Sequence, residues 1–117
     1  MRYTRLFCDA DGTSRFEDAA FVFAPTEFAP PAPPVDVSES HDATAFMVLR
    51  MRAGWTDGAH PAPARQFMMV MTGSVEVNAA GETRRFDGGS LLLLEDTSGR
   101  GHATTVLQDA VIAVARL

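Results

Sequence analysis

The pattern of hydrophobic and polar positions predicts a chain built mainly of short β-strands. Residues 44–52, TAFMVLRMR, alternate between apolar and polar side chains, as expected for a strand with one buried face. Residues 66–79, QFMMVMTGSVEVNA, indicate two strands or one bent strand, with an interruption at Thr72 and Gly73. The apolar run SLLLL, residues 90–94, predicts a short buried strand because turn signals stand on both sides of it.

Three shorter segments complete this pattern. TRRF predicts a short strand between the turns AAGE and DGG, while HATTVL and AVIAVARL predict two strands around a turn at Gln108 and Asp109. Helical periodicity is weak everywhere except around residues 15–22, and no internal repeat is present. Many short strands separated by turns that contain Gly and Asp are typical of an all-β sandwich or barrel.

Two segments near the N-terminus depart from the strand pattern. Residues 24–40 hold five of the seven prolines, which exclude a helix or a central strand because proline removes backbone donors and fixes φ. We expect an extended, ordered arm near polyproline II, anchored by Phe28, Val35 and Val37; a disordered linker is the alternative. Upstream, Asp9-Ala-Asp11-Gly-Thr13 predicts a turn in which aspartate side chains accept hydrogen bonds from their own backbone.

Composition limits the range of functions. The 117 residues favour one domain, with residues 1–43 as an N-terminal region and 44–117 as the core. A net charge of −5 gives no support to a nucleic-acid or anionic-membrane partner. Cys8 is the only cysteine, which excludes an internal disulfide and a Cys-rich zinc site. No apolar run has the length of a signal peptide or a membrane span, so we expect a cytoplasmic protein.

His60 and His102 are the candidate functional residues, because each stands where a polar turn meets a predicted strand. If residues 60–70 are extended, side-chain alternation places His60, Gln66 and Met68 on one face, polar at its start and apolar further in. A barrel mouth with a few polar groups above an apolar interior is a typical ligand site.

The segment from Gly54 to Gly73, GWTDGAHPAPARQFMMVMTG, is similar in spacing to the first motif of the cupins. That motif has a glycine, five residues, His-x-His, three residues, a glutamate, six residues and a glycine. Gly54, His60 and Gly73 match it, but Ala62 replaces the second histidine and Gln66 replaces the glutamate.

The second cupin motif also has a counterpart. Gly81-ETRRF-Asp87-Gly88-Gly89, followed by His102, is similar to the family's Gly-x5-Pro-x-Gly…His, with aspartate where proline is usual. The chain also resembles small bacterial single-domain cupins of unassigned function that share HPAP-x-RQ and EDT-x-G-x-GH. This resemblance implies a jelly-roll barrel (a double-stranded β-helix) of six to eight strands that is often a homodimer.

The resemblance also implies a divalent metal (Fe, Mn, Zn or Ni), which cupins usually hold with three histidines and a glutamate. Carried across position by position, it leaves His60, Gln66 and His102 as ligands and the position of Ala62 vacant. Two imidazoles and a neutral amide oxygen are a poor set for a transition metal. Glu95 could supply the missing carboxylate; the favoured alternative is that Glu95 and Asp96 are solvated turn residues.

Three further side chains are candidates for the pocket. Met68 could line its apolar part, Arg50 could place a guanidinium at the mouth for a carboxylate ligand, and Trp55 could lie on the rim. The alternatives are core packing for Met68, a solvent-facing position for Arg50 and packing against the proline-rich arm for Trp55.

Three hypotheses for function remain open. The first is an enzyme that uses a weakly held metal on a carbonyl- or carboxylate-bearing substrate. The second is a non-catalytic small-molecule binding module with a degenerate metal site. The third is a structural dimer that uses the arm and the methionine-rich face for assembly.

Overall fold

The computed structural model describes all 117 residues, which form nine strands and no helix. The strands are β1 (Arg2–Cys8), β2 (Ser14–Ala20), β3 (Phe23–Thr26), β4 (Val35–Ser38), β5 (Ala45–Met51), β6 (Gln66–Ala79), β7 (Glu82–Asp87), β8 (Leu91–Leu94) and β9 (Ala103–Arg116). The structure contains no helix that is long and apolar enough to cross a membrane.

Seven of the strands form one curved sheet around the long strands β6 and β9. The order is β2-β1-β8-β6-β9-β5, and β7 pairs with the second half of β6. All pairings are antiparallel except that of β1 with β8. β6 pairs with β8 in its first half and with β7 in its second, and the curved sheet encloses an apolar interior.

The bend in β6 comes from a bulge at Gly73, so the segment is one bent strand. The register with β9 shifts between Val70 and Val75. Gly73 has φ +84°, and a Cβ there would lie 2.1 Å from the carbonyl oxygen of Asp109, so only glycine fits. The predicted turn at Gln108 and Asp109 is therefore wrong: β9 runs through both residues, and the irregularity is a bulge within a continuous pairing.

The N-terminal region is a hairpin of β1 and β2, and the weak helical periodicity at residues 15–22 was misleading, since most of that segment is strand. The turn between the strands is as predicted. Asp9 Oδ1 accepts hydrogen bonds from the backbone N–H groups of Asp11 (2.9 Å) and Thr13 (3.0 Å). Arg15 also bonds Asp9, and the backbone hydrogen bond from Thr13, followed by that ion pair, lowers the pKa of the Asp9 carboxyl.

The proline-rich arm is ordered as a second hairpin, formed by β3 and β4. It differs from the expected polyproline II segment in that its two ends pair with each other. The predicted anchoring is wrong for Phe28 and Val35, whose side chains are exposed.

The apolar core lies inside the curved sheet. Its fully buried members come from β1, β6 and β9 and include Leu6, Val70, Val106 and Val114. Part of the interior along β6, from Gln66 to Val77, is not filled by side chains, and this unfilled part is the site described below.

Candidate functional site

A backbone bridge brings His60 and His102 together at the mouth of the barrel. The N–H of each donates to the carbonyl of the other, at 3.0 and 3.1 Å, and the two rings lie 5.8 Å apart. The bridge depends on Gly101, which has φ +76° and whose Cβ, if present, would lie 2.0 Å from the carbonyl of His60. The loop before β6 and the entry to β9 can therefore touch only because residue 101 has no side chain.

Below this bridge lies a cavity of about 210 Å³ whose walls are mainly apolar. Ten of its sixteen lining residues are hydrophobic, and the walls include Leu49, Met51, Val70, Val77, Leu92 and Ile112. Polar groups reach it from Asp57, His60, Gln66, His102 and Thr104. The arrangement is that of a small-molecule site, in which a few polar groups orient a ligand held by apolar surface.

His102 is buried and held in one orientation from behind. Its Nδ1 donates to Asp96 Oδ2 at 2.6 Å, and Ser14 Oγ donates to the same oxygen at 2.7 Å. Asp96 is fully buried (0% exposed) and also accepts a backbone hydrogen bond from Ala62. Because carboxylate oxygens only accept, Nδ1 carries the proton, and neutral His102 has its lone pair on Nε2. Nε2 makes no hydrogen bond within the chain, and His102 lines the cavity, so this nitrogen is available as an acceptor for a ligand.

His60 is held differently, with both ring nitrogens engaged. Nδ1 lies 2.9 Å from the carbonyl oxygen of Pro61, and Nε2 lies 2.7 Å from Asp57 Oδ2. The hydrogen bond to Pro61, and then that to Asp57, raise the pKa of His60 because both favour the doubly protonated ring. Asp57 is fixed in turn by the backbone N–H of Thr104, 2.7 Å from its Oδ1. The protonated form of His60 thus forms an ion pair with Asp57 at the cavity edge.

The structure places Gln66, Met68 and Trp55 around the same cavity. Gln66 is buried at the first position of β6, Met68 lies two residues further along, and Trp55 is partly exposed at the edge. The three candidate ligands His60, Gln66 and His102 thus share one cavity, while their role as metal ligands stays a prediction.

Arg50 and Glu95 do not line the cavity. Alternation along β5 turns Leu49 and Met51 inward and leaves Arg50 exposed on the outer face. Glu95 points away from the interior and is paired with Arg5 and Arg65. Burial, the largest effect, raises the pKa of Glu95, but the hydrogen bonds from the two arginines together bring it below its usual value.

Asp96 corrects the expectation of a solvated turn residue, since it is the buried partner of His102. Asp57 and Ser14 were not predicted as parts of the site. Asp57 stands three positions before His60, a short-range signal that could have been found, whereas Ser14 is separated from Asp96 by 82 positions. Only the fold brings Ser14 to this place.

These side chains do not fit a transition metal. Both nitrogens of His60 are engaged with oxygen acceptors, and a protonated imidazole has no lone pair for a metal. His102 Nε2 and the amide of Gln66 remain, and Glu95, the candidate carboxylate, is paired elsewhere. No group of three His, Cys, Asp or Glu side chains in the chain is arranged to hold a metal ion.

No protein-family model matches the sequence, and no curated protein matches it either. Several solved structures are similar to it. A conserved protein of unknown function from Streptococcus pyogenes is 18% identical, with a TM-score of 0.51 over 68% of each chain. A cupin-2 domain protein from Shewanella frigidimarina is 14% identical, with a TM-score of 0.49 over 61% of this chain and 67% of that one. A Cupin 2 conserved barrel domain protein from Salinispora arenicola is 23% identical, with a TM-score of 0.49 over 62% and 61%.

At these identities the likeness concerns the fold alone. The strands of this chain curve around one interior, and the bridge between His60 and His102 joins the two cupin-like motifs at its mouth. The predicted all-β jelly-roll fold is confirmed.

Proposed function

We propose that the barrel binds a small, neutral, mainly apolar organic molecule that carries one hydroxyl group, of the size of a substituted phenol. The observation that carries this proposal is His102: its Nδ1 is bonded to Asp96, which leaves Nε2 as a hydrogen-bond acceptor in a mainly apolar cavity. A buried acceptor favours a ligand that donates to it, because an unsatisfied polar group in an apolar site costs free energy.

The size of the cavity supports a one-ring ligand. An apolar cavity of about 150 Å³ in another protein holds benzene, and the cavity here is about 210 Å³. The remaining space suits one or two substituents. A hydroxyl oxygen can also accept a hydrogen bond, and the side-chain amide of Gln66 offers donors on the cavity wall.

Charge favours a neutral ligand over the carboxylate considered from the sequence. No arginine lines the cavity, and a proton gained by His60 is matched by the carboxylate of Asp57 at 2.7 Å. The buried carboxylate of Asp96 stands directly behind His102. An anionic ligand would therefore lose its hydration without gaining a free cationic partner.

Of the three hypotheses, the non-catalytic binding module has the most support. A metal-dependent enzyme would need a set of metal ligands that these side chains do not supply. A purely structural protein would not need the cavity. The structure supports recognition of a ligand and assigns no reaction.

The test is a comparison of matched ligands. Trp55, the only tryptophan, lies at the cavity edge and reports binding by its fluorescence. We expect phenol to bind more tightly than anisole, in which a methyl group replaces the donated proton, by a factor of about 2 to 10. Benzoate should bind more weakly than either.

His102→Phe should remove the preference for phenol over anisole and retain binding of toluene. His41→Phe is the matched control, since His41 lies outside the cavity and should leave the preference intact. Thermal shift provides a second readout, because a ligand that binds the native state raises the melting temperature. The proposal fails if millimolar phenol changes neither readout, or if benzoate binds more tightly than phenol.

A further inference from the structure

A second cleft lies between the β1–β2 hairpin and the strands β7 and β8. Its volume is about 400 Å³, and the residues that line it include Thr4, Asp18 and Ser90. None of its lining residues belongs to the cavity described above. Clefts that bind small molecules commonly have volumes of about 300–1,000 Å³. The second cleft is therefore large enough for a small ligand, and binding there would be independent of the cavity.

Two opposite charges line this cleft without pairing with each other. Arg2 pairs with Ala20 and Thr4 pairs with Asp18 across the hairpin, so Arg2 and Asp18 are diagonal neighbours on one face. Diagonal neighbours lie about 7–8 Å apart, which is within reach of a long side chain. Arg2 nevertheless forms no ion pair within the chain. The two charged groups are therefore available to a ligand that contacts both of them.

The carboxylate of Asp18 is only partly neutralised. Its Oδ1 accepts a hydrogen bond from Arg84 Nη1 at 2.8 Å, and Arg84 Nε donates to Glu82 Oε2 at 2.8 Å. One guanidinium thus serves two carboxylates, which leaves the group of three side chains with one negative charge in excess. Asp18 Oδ2 makes no hydrogen bond within the chain, so it remains free to accept one from a cationic ligand.

The neutral part of the cleft offers hydroxyl groups and apolar surface. Thr4 and Ser90 line the cleft, and their hydroxyl groups make no hydrogen bond within the chain. A hydroxyl group can donate to a carboxylate and can also accept from an ammonium group. Phe86 and Leu91 add apolar surface. The cleft therefore combines a charge of each sign with free hydroxyl groups and an apolar wall.

We propose that this cleft binds a free α-amino acid as its zwitterion, with the carboxylate at Arg2 and the ammonium group at Asp18. A guanidinium matches the geometry of a carboxylate, and a carboxylate forms charge-assisted hydrogen bonds with an ammonium group. An apolar side chain of the ligand packs against Phe86 and Leu91. A zwitterion is favoured over a simple anion or cation, because a single charge would be attracted by one of the two groups and repelled by the other.

Isothermal titration calorimetry with L-leucine as the probe tests the proposal. Two analogues each lack one of its charges: L-leucinamide has no carboxylate, and N-acetyl-L-leucine has no ammonium group. We expect each analogue to bind about tenfold more weakly than L-leucine, because each loses one charge-assisted interaction. Raising the salt concentration should also weaken the binding of L-leucine, since both charged groups of the cleft are open to solvent.

Two substitutions assign the two ends of the ligand. Arg2→Gln should remove the preference for L-leucine over L-leucinamide and retain the preference over N-acetyl-L-leucine. Asp18→Asn should have the reverse effect, and its amide oxygen can still accept from Arg84. Arg50→Gln is the matched control, because Arg50 is an exposed arginine without an ion pair on β5, at the other end of the sheet order. It should leave the affinity for L-leucine unchanged.

An NMR titration locates the binding site, and circular dichroism checks that each variant is folded. The backbone amides of Thr4, Asp18 and Ser90 should show the largest shifts on addition of L-leucine. The absence of binding at tens of millimolar L-leucine would overturn the proposal, as would equal affinities for L-leucine and both analogues. Shifts confined to residues of the cavity, such as His102, would also overturn it, because L-leucine would then occupy the other site.

Discussion

At the scale of single residues, the most informative contact is the shared acceptor Asp96. Its Oδ2 accepts from both Ser14 and His102, and all three side chains are buried. Ser14 is thus a positioning residue for His102, since it helps to fix the carboxylate that orients the imidazole. A serine so far along the chain from His102 is the kind of partner that local sequence patterns cannot reveal.

Ser14→Ala should lower the free energy of unfolding by about 1.5–3 kcal/mol, because it removes a buried hydrogen bond to a carboxylate. Urea unfolding measures this loss. Ser98→Ala is the control, since Ser98 is exposed and makes no side-chain hydrogen bond; it should change stability by less than about 0.5 kcal/mol. Equal effects of the two substitutions would show that Asp96 does not depend on Ser14.

His60 should make stability depend on pH near neutrality. Its pKa is raised in the folded state by the Pro61 carbonyl and Asp57, so folding favours the protonated ring. The resulting stabilisation is fully present below the unfolded pKa of about 6.5 and is lost as pH rises through the folded pKa. The effect is small, because the side chain is 53% exposed to solvent.

An NMR titration should show His60 with a pKa above that of His60 in the urea-unfolded chain. His60→Gln should flatten the decline in unfolding free energy that begins near the unfolded pKa of about 6.5 and continues as pH rises through the folded pKa. The reverse slope in the wild type, with stability rising over this range, would contradict the assignment of His60 as the doubly hydrogen-bonded cation.

At the scale of elements, the hydrophobic pattern predicted the strands with strong alternation or a dense apolar run. β5, β7 and β8 lie where the pattern placed them. The continuity of β9 could not be predicted, because it depends on how Gly73 of β6 meets Asp109 across the sheet. The inward direction of Leu49, and hence the outward direction of Arg50, likewise depends on which face of β5 meets the core.

The dependence on long-range contacts also explains which site residues could be predicted from the sequence and which could not. The cupin-like spacing predicted that His60, Gln66 and His102 lie together, because the residues of a family motif are close together in that family's fold. Asp96 stands among Thr97, Ser98 and Gly99, a composition typical of a turn. Asp96 is buried because the β1–β2 hairpin brings Ser14 beside it. The contact between Ser14 and Asp96 is long-range in sequence, so local composition does not predict it.

The backbone bridge between the loop before β6 and the entry to β9 requires a glycine at position 101, which gives a sharp prediction. Gly101→Ala should destabilise the protein by clearly more than Gly81→Ala. Both glycines have positive φ (+76° and +79°), but only at Gly101 would a Cβ meet backbone, at 2.0 Å, whereas Gly81 has open space. The control therefore measures the cost of φ alone, about 1–2 kcal/mol.

Urea unfolding gives the two costs, and hydrogen exchange locates the damage. The amides of His60 and His102, which bond each other's carbonyls, should lose protection in Gly101→Ala and keep it in Gly81→Ala. Similar stability and exchange in the two variants would mean that the loop before β6 moves aside easily, and that the bridge does not fix the histidines.

At the scale of the whole molecule, the barrel combines a well-packed region with a hollow one. Val106 lies in the packed core and does not line the cavity, whereas Val77, on the neighbouring strand, does. A domain of this size has a small free energy of unfolding, and the unfilled volume lowers that free energy further. A hollow retained beside oriented polar groups is more readily understood as a binding site than as a packing defect.

Two matched substitutions test whether the hollow exists in solution. Val77→Leu adds a methylene into the cavity and should stabilise the protein by about 0.8 kcal/mol, since apolar surface is buried without displacing neighbours. Val106→Leu adds the same group where no space remains and should destabilise it by about 1–3 kcal/mol. Urea unfolding compares them, and Val77→Leu should also weaken phenol binding. If both substitutions destabilise equally, the barrel is packed throughout and has no room for the proposed ligand.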